Sequence, residues 1–161
     1  MTRDNSFPRP EHYGDLSVPA FGYELMRNQL LPELLGEECA SILYWAGRKI
    51  ARQYPLDSEE QIAAFFAQAG WGKLELTEKK KSKISFECHS PLIESRIKDH
   101  PRSAVFSLEA GFIAEQMQRQ LGCIAETYTE IRTGRNKKVV FLVKWDAKDP
   151  VLSNPGIEKN S

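Results

Sequence analysis

The stretch Glu37–Pro55, EECASILYWAGRKIARQYP, most constrains what this chain can fold into. At about 100° per residue, Cys39, Ile42, Leu43, Ala46, Ile50 and Tyr54 fall in one wide stripe. Tyr44 and Ala51 widen it until more than half the helix circumference is apolar or small. The spacing predicts a helix held between two layers. Only Glu38, Ser41, Arg48, Lys49 and Arg52 mark a wet edge, which Trp45 shares. Gly47 costs a mid-helix position about 1 kcal/mol against alanine, so it predicts an element packed close to the backbone there.

Residues 1–20 are polar and punctuated by Pro8, Pro10 and Pro19, and read as a flexible N-terminal arm. Phe21 to about Gln29 predicts a first helix that Pro32 interrupts; Leu31, Leu34 and Leu35 anchor a short further turn stopped by Gly36. After Tyr54-Pro55, the run Asp57-Ser58-Glu59-Glu60-Gln61 starts another helix, with Asp57 and Glu60 or Ser58 and Gln61 as the capping pair. Ile62, Phe65, Phe66 and Ala69 mark its buried face, and Gly70 ends it.

The period then changes. Leu74 and Leu76 alternate with polar neighbours, as do Ile84, Phe86 and Cys88 beyond the lysine-rich turn, which predicts an antiparallel hairpin buried on one face. Pro91–His100 suits a short helix, and 104–121 a long one with Phe106, Ala110, Ile113, Met117 and Leu121 on one side. Val105, Leu108 and Phe112 form an opposite apolar face, with Gly111 permitting close approach. A second hairpin spans 124–132 and 138–145; Val139–Val143 is apolar on both faces and therefore central in its sheet. The order predicts an α+β domain over 21–147: a four-stranded antiparallel sheet made of two hairpins, with helices packed mainly on one face. Residues 148–161 read as a flexible tail.

Chemistry is sparse. The 22 acidic and 22 basic residues balance, which gives no global field toward nucleic acid or membrane. No run is long and apolar enough to span a membrane, and MTRDNSFPRP has no signal-peptide core. Three widely spaced cysteines, Cys39, Cys88 and Cys123, fit reduced thiols in a cytoplasmic protein. No metal site is expected: Cys88 and His89 point to opposite faces of one strand, and His100 and Cys123 lack partners at ligand spacing. Nucleophile motifs and phosphate loops are absent, so no catalytic residue, cofactor or enzyme activity is expected.

Two surface features stand out. Trp45, between Arg48, Arg52 and Glu38, is a candidate interface residue, and Arg48 and Arg52 go with it. Lys79, Lys80, Lys81 and Lys83 crowd one hairpin tip, and Arg132, Arg135, Lys137 and Lys138 the other. If both tips point the same way they make one basic patch, suited to an acidic protein partner or to the acidic helical side of a second copy; otherwise they protect sheet edges.

The phrases LLPELLG, ILYWAGRKIARQYP, Gly70-Trp71-Gly72 and FSLEAGFIAEQMQRQLG resemble the YslB family of bacterial proteins of unknown function, over roughly Phe21–Trp145. That family is similar in outline to the 4-vinyl-reductase-like and Bet-type TRAPP domains, the NO-signalling and Golgi-transport ligand-binding fold. The resemblance implies an open antiparallel sheet carrying helices, a frequent homodimer and usually not an enzyme. In such relatives the space between sheet and helices can hold a small hydrophobic ligand. Phe65, Phe66, Phe86, Cys88 and Phe106, plain core by their pattern alone, thereby become candidate pocket residues. The cysteine zinc site of some vinyl-reductase-like domains does not carry over, because Phe106 stands five residues before Gly111 and no cysteine follows Cys123. The expected function is a non-enzymatic, homodimeric interaction module; the alternative is a sensor holding a small hydrophobic ligand between sheet and helices.

Overall fold

The computed structural model of the chain describes residues 7–14 and 16–151. The expected loose ends at 1–6, Asp15 and 152–161 lie outside these residues.

The first helix does not stop at Pro32. α1 (Ala20–Glu24), a π-helical segment (Leu25–Leu30) and α2 (Leu31–Leu35) run on continuously. The Leu31 N–H bonds to the Met26 carbonyl, five residues back. That wider turn absorbs the proline, which in a regular helix would clash with the carbonyl four residues before it. Gly36, at φ 63°, then breaks the helix, as its sequence position predicts. A 3-10 turn, Gly36–Glu38, leads into α3 (Cys39–Gln53). α4 (Glu59–Gln68) is capped by Ser58, whose hydroxyl accepts from the Gln61 N–H, while the Gln61 side chain accepts from the Asp57 N–H.

β1 (Lys73–Lys79), β2 (Lys83–His89), β3 (Cys123–Arg132) and β4 (Lys138–Pro150) form one antiparallel sheet in the order β1-β2-β4-β3. β4 is internal, as its two apolar faces require, and runs beyond the expected end at Trp145 to Pro150. α5 (Pro91–Asp99) and α6 (Ser107–Leu121) follow the first hairpin. α6 begins at Ser107 rather than near Ala104, because Phe106 is turned out of helical geometry to act as its N-cap residue.

The doubly covered helix is α6, which corrects the placement expected for α3. Glu109, Ala110, Gly111, Phe112, Ile113, Ala114, Gln116 and Met117 are all buried, with β3 and β4 on one side and α3 on the other. α3 forms the outer layer; Ile42 and Trp45 on its far side stay exposed. Its stripe is wide because it meets α6 at very short range. Gly47 lies against the Leu108 backbone and Gly111 against the Tyr44 backbone, and a methyl group at either would overlap the facing carbonyl. Together with Phe112 of α6 itself, Phe66, Phe86, Phe141, Ile84 and Val139 fill the core with almost no exposure. Each such phenylalanine contributes about 2–3 kcal/mol relative to an exposed one.

The hairpin tips sit at opposite ends of the sheet. β2 and β4 pair antiparallel, Lys83 with Lys144 and Cys88 with Val139, so Lys80–Ser82 and the 133–137 turn point apart. The opposition follows from the strand order: β2 and β4 each leave their hairpin turn as its second strand, so pairing them antiparallel sends the two turns to opposite ends.

Candidate functional site

The helix 20–35 crosses above the start of α6 and leaves clefts on two sides of its π-helical segment. One, of about 170 Å³, lies among Asn28, Leu31, Cys39, Leu43, Val105 and Leu108. A shallower one, of about 510 Å³, lies between Phe21, Leu25, Asn28 and the α5 residues Leu92, Ser95 and Arg96. Between them sits a buried ionic cluster. Arg27 reaches Glu109 at 2.5 and 2.7 Å and donates to the Val105 carbonyl at 3.3 Å. Arg96 reaches Glu24 at 2.6 Å. Both guanidinium groups lie over the Phe106 ring, at 5.9 and 5.2 Å from its centre, within cation–π range. Burial works against the Arg27 charge, but the Glu109 carboxylate outweighs it and holds the arginine above its ordinary pKa. The cluster is internally neutral, so it fixes the helix 20–35 on α6 rather than offering a bare charge to a ligand.

Four of the five pocket candidates are packed in the core, while Phe65 is half-buried and borders a gap of about 260 Å³ beside Tyr54, Ala69 and Trp71. Phe66, Phe86, Cys88 and Phe106 are each at most 2% exposed. Phe65 stacks on Phe112 at 4.5 Å, and Phe66 meets Trp71 edge-on at 5.1 Å. The Cys88 thiol donates to the Trp71 carbonyl at 3.6 Å, and a methyl at Gly72 would lie 2.9 Å from its sulfur. Burial, with the Glu109 carboxylate adding to it, pushes that thiol up to about 12. By their pattern these residues are plain core; the two clefts described above lie among the helices instead, with Leu31, Leu43, Leu92 and Leu108 in their walls.

The interface candidates separate. Trp45 is 63% exposed and Arg52 points outward, but Arg48 is 3% exposed, against the wet edge expected for it. The close α3–α6 approach brings Arg48 to Glu115 at 2.9 Å and Glu126 at 3.2 Å, and its guanidinium also donates to the Ala125 carbonyl. Burial opposes ionisation of Glu115, but hydrogen bonds from Arg52 and Arg48 prevail and hold its carboxyl below the usual range. The Thr127 N–H donates to the Tyr44 oxygen and the Ala125 N–H to Gln118 Oε1, each at 3.2 Å. Side chains of α3 and α6 thus occupy the outer edge of β3, which would otherwise be open to another strand.

No single basic patch forms. Besides lying at opposite ends, several of its members are paired: Lys79 with Glu59 at 2.7 Å, Lys80 and Lys83 with Glu78, Lys138 with Glu87 at 2.7 Å, and Arg132 with Glu130. Lys81, Arg135 and Lys137 make no ion pair among the described residues. No group of three or more His, Cys, Asp or Glu side chains converges among them, and none of their helices is long and apolar enough to cross a membrane.

Residues 20–144 match the family described as a protein of unknown function, DUF2507. Over 137 residues the chain is 47% identical to the uncharacterized protein YslB of Bacillus subtilis (strain 168), covering 85% of this chain and 91% of that protein. The resemblance read over Phe21–Trp145 is thereby borne out. Among solved structures, a vinyl-4-reductase family protein from Methanocaldococcus jannaschii is similar with a TM-score of 0.61 at 18% identity, over 83% of this chain and 85% of that one. At that identity the likeness shows a shared fold. A trafficking protein particle complex subunit 3 from Naegleria fowleri, in a structure with covalently bound palmitic acid, has a TM-score of 0.46 at 8% identity, over 89% of this chain and 95% of that one.

Proposed function

The chain belongs to the DUF2507 family of proteins of unknown function, and from that premise we propose that it is a non-enzymatic interaction module that works as a homodimer. The observation that carries this reading is the row of large apolar side chains left in water along the outer helices. Met26, Leu30 and Leu34 recur at four-residue intervals on the helix 20–35, and Ile42 and Trp45 follow on α3. Trp45 and Leu34 are 63% and 69% exposed, and buried tryptophans are typical anchors of protein interfaces.

The proposed occupant is a second copy, the row of apolar side chains meeting its own counterpart across a two-fold, isologous contact. Light scattering at tens of micromolar tests it. A dimer is expected, and Leu34→Glu with Trp45→Glu should give a folded monomer; a wild-type monomer refutes the reading.

The absence of enzyme activity is part of the proposal. His89 pairs with Glu75 at 3.4 Å on the outer sheet face, and the raised Cys88 thiol is a poor nucleophile. A second reading, ligand binding, is supported by the cleft of about 170 Å³, whose walls Leu31, Leu43 and Leu108 are apolar. Native mass spectrometry of the protein from its own host decides it, through added mass that Leu43→Trp removes.

A further inference from the structure

Three aromatic side chains from three different elements converge at the far end of α3. Tyr54 caps α3, Phe65 lies on α4 and Trp71 follows α4. Ring centres lie 5.4 Å apart for Tyr54 and Phe65 and 5.6 Å for Phe65 and Trp71. Phe112 of α6 backs them, stacked on Phe65 and 5.3 Å from Trp71, so the aromatic floor is fixed by the core. All three rings are only half-buried, and Ile50 and Ala69 complete the walls of a groove.

The chain's own arm lies in this groove. Phe7 meets Tyr54 edge-on at 6.3 Å, the Tyr54 hydroxyl donates to the Pro8 carbonyl, and Arg9 is extended at φ −118° and ψ 138°. Phe7-Pro8-Arg9 has the features such a floor selects, a proline ring for aromatic faces and a stiff, extended backbone that offers the Pro8 carbonyl. From Pro10 the arm turns away in a 3-10 turn, Pro10–His12, whose backbone takes up the Arg9 and Pro10 carbonyls.

The fit is loose. Phe7 remains 44% and Tyr13 53% exposed, and a gap of about 260 Å³ separates the arm from the aromatic floor. No ion pair among the described residues ties 7–14 to the domain. The groove residues fall inside the family match at 20–144, whereas the arm falls outside it.

We propose that the groove formed by Ile50, Tyr54, Phe65, Ala69 and Trp71 is a docking site for an extended, proline-containing peptide of a partner protein, and that Phe7–Pro10 holds it as a displaceable stand-in. A tether this short gives the arm an effective concentration on the order of 1 mM. A weak internal contact therefore suffices to keep the groove occupied until a better-fitting sequence arrives. The site lies at the opposite end of α3 from the face assigned to dimerisation, so the two can be occupied together.

The test is a titration of the full-length chain with the peptide FPRPEHYG, followed by amide and indole NMR shifts. In the arm variant Phe7→Ser, Pro8→Ser, Pro10→Ser, saturable shifts at Gln68, Ala69 and the Trp71 indole are expected. The wild type should need about tenfold more peptide, because its tethered arm competes. Adding Ala69→Arg to the arm variant should remove the response. Absence of saturable shifts, equal affinity in wild type and arm variant, or indifference to Ala69→Arg each overturns the proposal. Should the arm variant fail to fold, millimolar peptide added to the wild type must move the Arg9 and Glu11 amides toward random-coil positions; fixed amides overturn it too.

Discussion

Gly47 and Gly111 stand on facing helices, each pressed against the backbone of the other's helix: Gly47 against Leu108 and Gly111 against Tyr44. This reciprocal contact sets how near α3 comes to α6, and hence the burial of Arg48 and the covering of the β3 edge.

The first prediction concerns that contact. On an exposed helix, Gly→Ala gains about 1 kcal/mol. Here Gly47→Ala and Gly111→Ala should each destabilise by about 3 kcal/mol or more, since the obstacle is backbone and cannot rotate away. Urea denaturation measures it; a neutral or stabilising result at both sites means the helices do not meet as described.

The second concerns acid. Glu115 is held below the usual carboxylate range by Arg52 and Arg48. A depressed folded-state value stabilises the fold above the ordinary carboxylate pKa of about 4.3, and that stability is lost as pH falls through the folded-state value. Glu115→Gln should therefore lower stability at pH 7 and flatten the decline below pH ~4.5. Equal acid sensitivity in both proteins would remove Glu115 from the account. Glu115→Ala should cost about 3 kcal/mol at pH 7, because it leaves Arg48 buried with only Glu126 opposite.

Phe86 and Phe106 separate core from ligand wall. As packing residues, each replaced by Ala should cost about 3–5 kcal/mol in thermal or chemical unfolding. Phe106→Leu, which stays apolar and loses the same atoms as Phe86→Leu but removes the ring that Arg27 and Arg96 lie over, should cost more than Phe86→Leu. Equal costs would show that the stacked guanidinium groups contribute nothing.

The hairpin tips give a prediction about salt. Lys80 and Lys81 lie at one end of the sheet, Arg135 and Lys137 at the other. Charges so far apart are screened from each other at physiological salt, where the screening length is ~8 Å. Replacing all four by Ser should leave stability within about 1 kcal/mol. An acidic partner captured from lysate should respond to one pair only; a partner lost equally with either pair would show that it spans the sheet.

Local chemistry made the elements legible. Ser58 and Gln61 announced the start of α4, Gly36 and Gly70 ended helices through backbone freedom, and strict alternation in Ile84, Phe86 and Cys88 marked a half-buried strand. Even the central place of Val139–Val143 followed from its two apolar faces. These signals act over a few residues, which is the range on which a sequence specifies backbone conformation and inward direction.

What only the tertiary structure decided was which elements meet. α3 reads as apolar over a wide stripe and α6 on two opposite faces, so both look fit to lie between layers, and nothing local tells which helix lies against the sheet and which lies outside it. Pro32 does end an isolated regular helix; it is tolerated here because a π turn relieves it and the Arg27–Glu109 and Arg96–Glu24 pairs hold that turn in place. Arg48 is polar by composition and buried by circumstance, since its partners Glu115 and Glu126 are more than sixty residues away in the chain. The opposed hairpin tips, the clefts beside the helix 20–35 and the aromatic groove under the arm all arise where distant segments pack. Periodicity fixes the direction of a side chain relative to its own backbone, and long-range packing alone fixes what stands there to meet it.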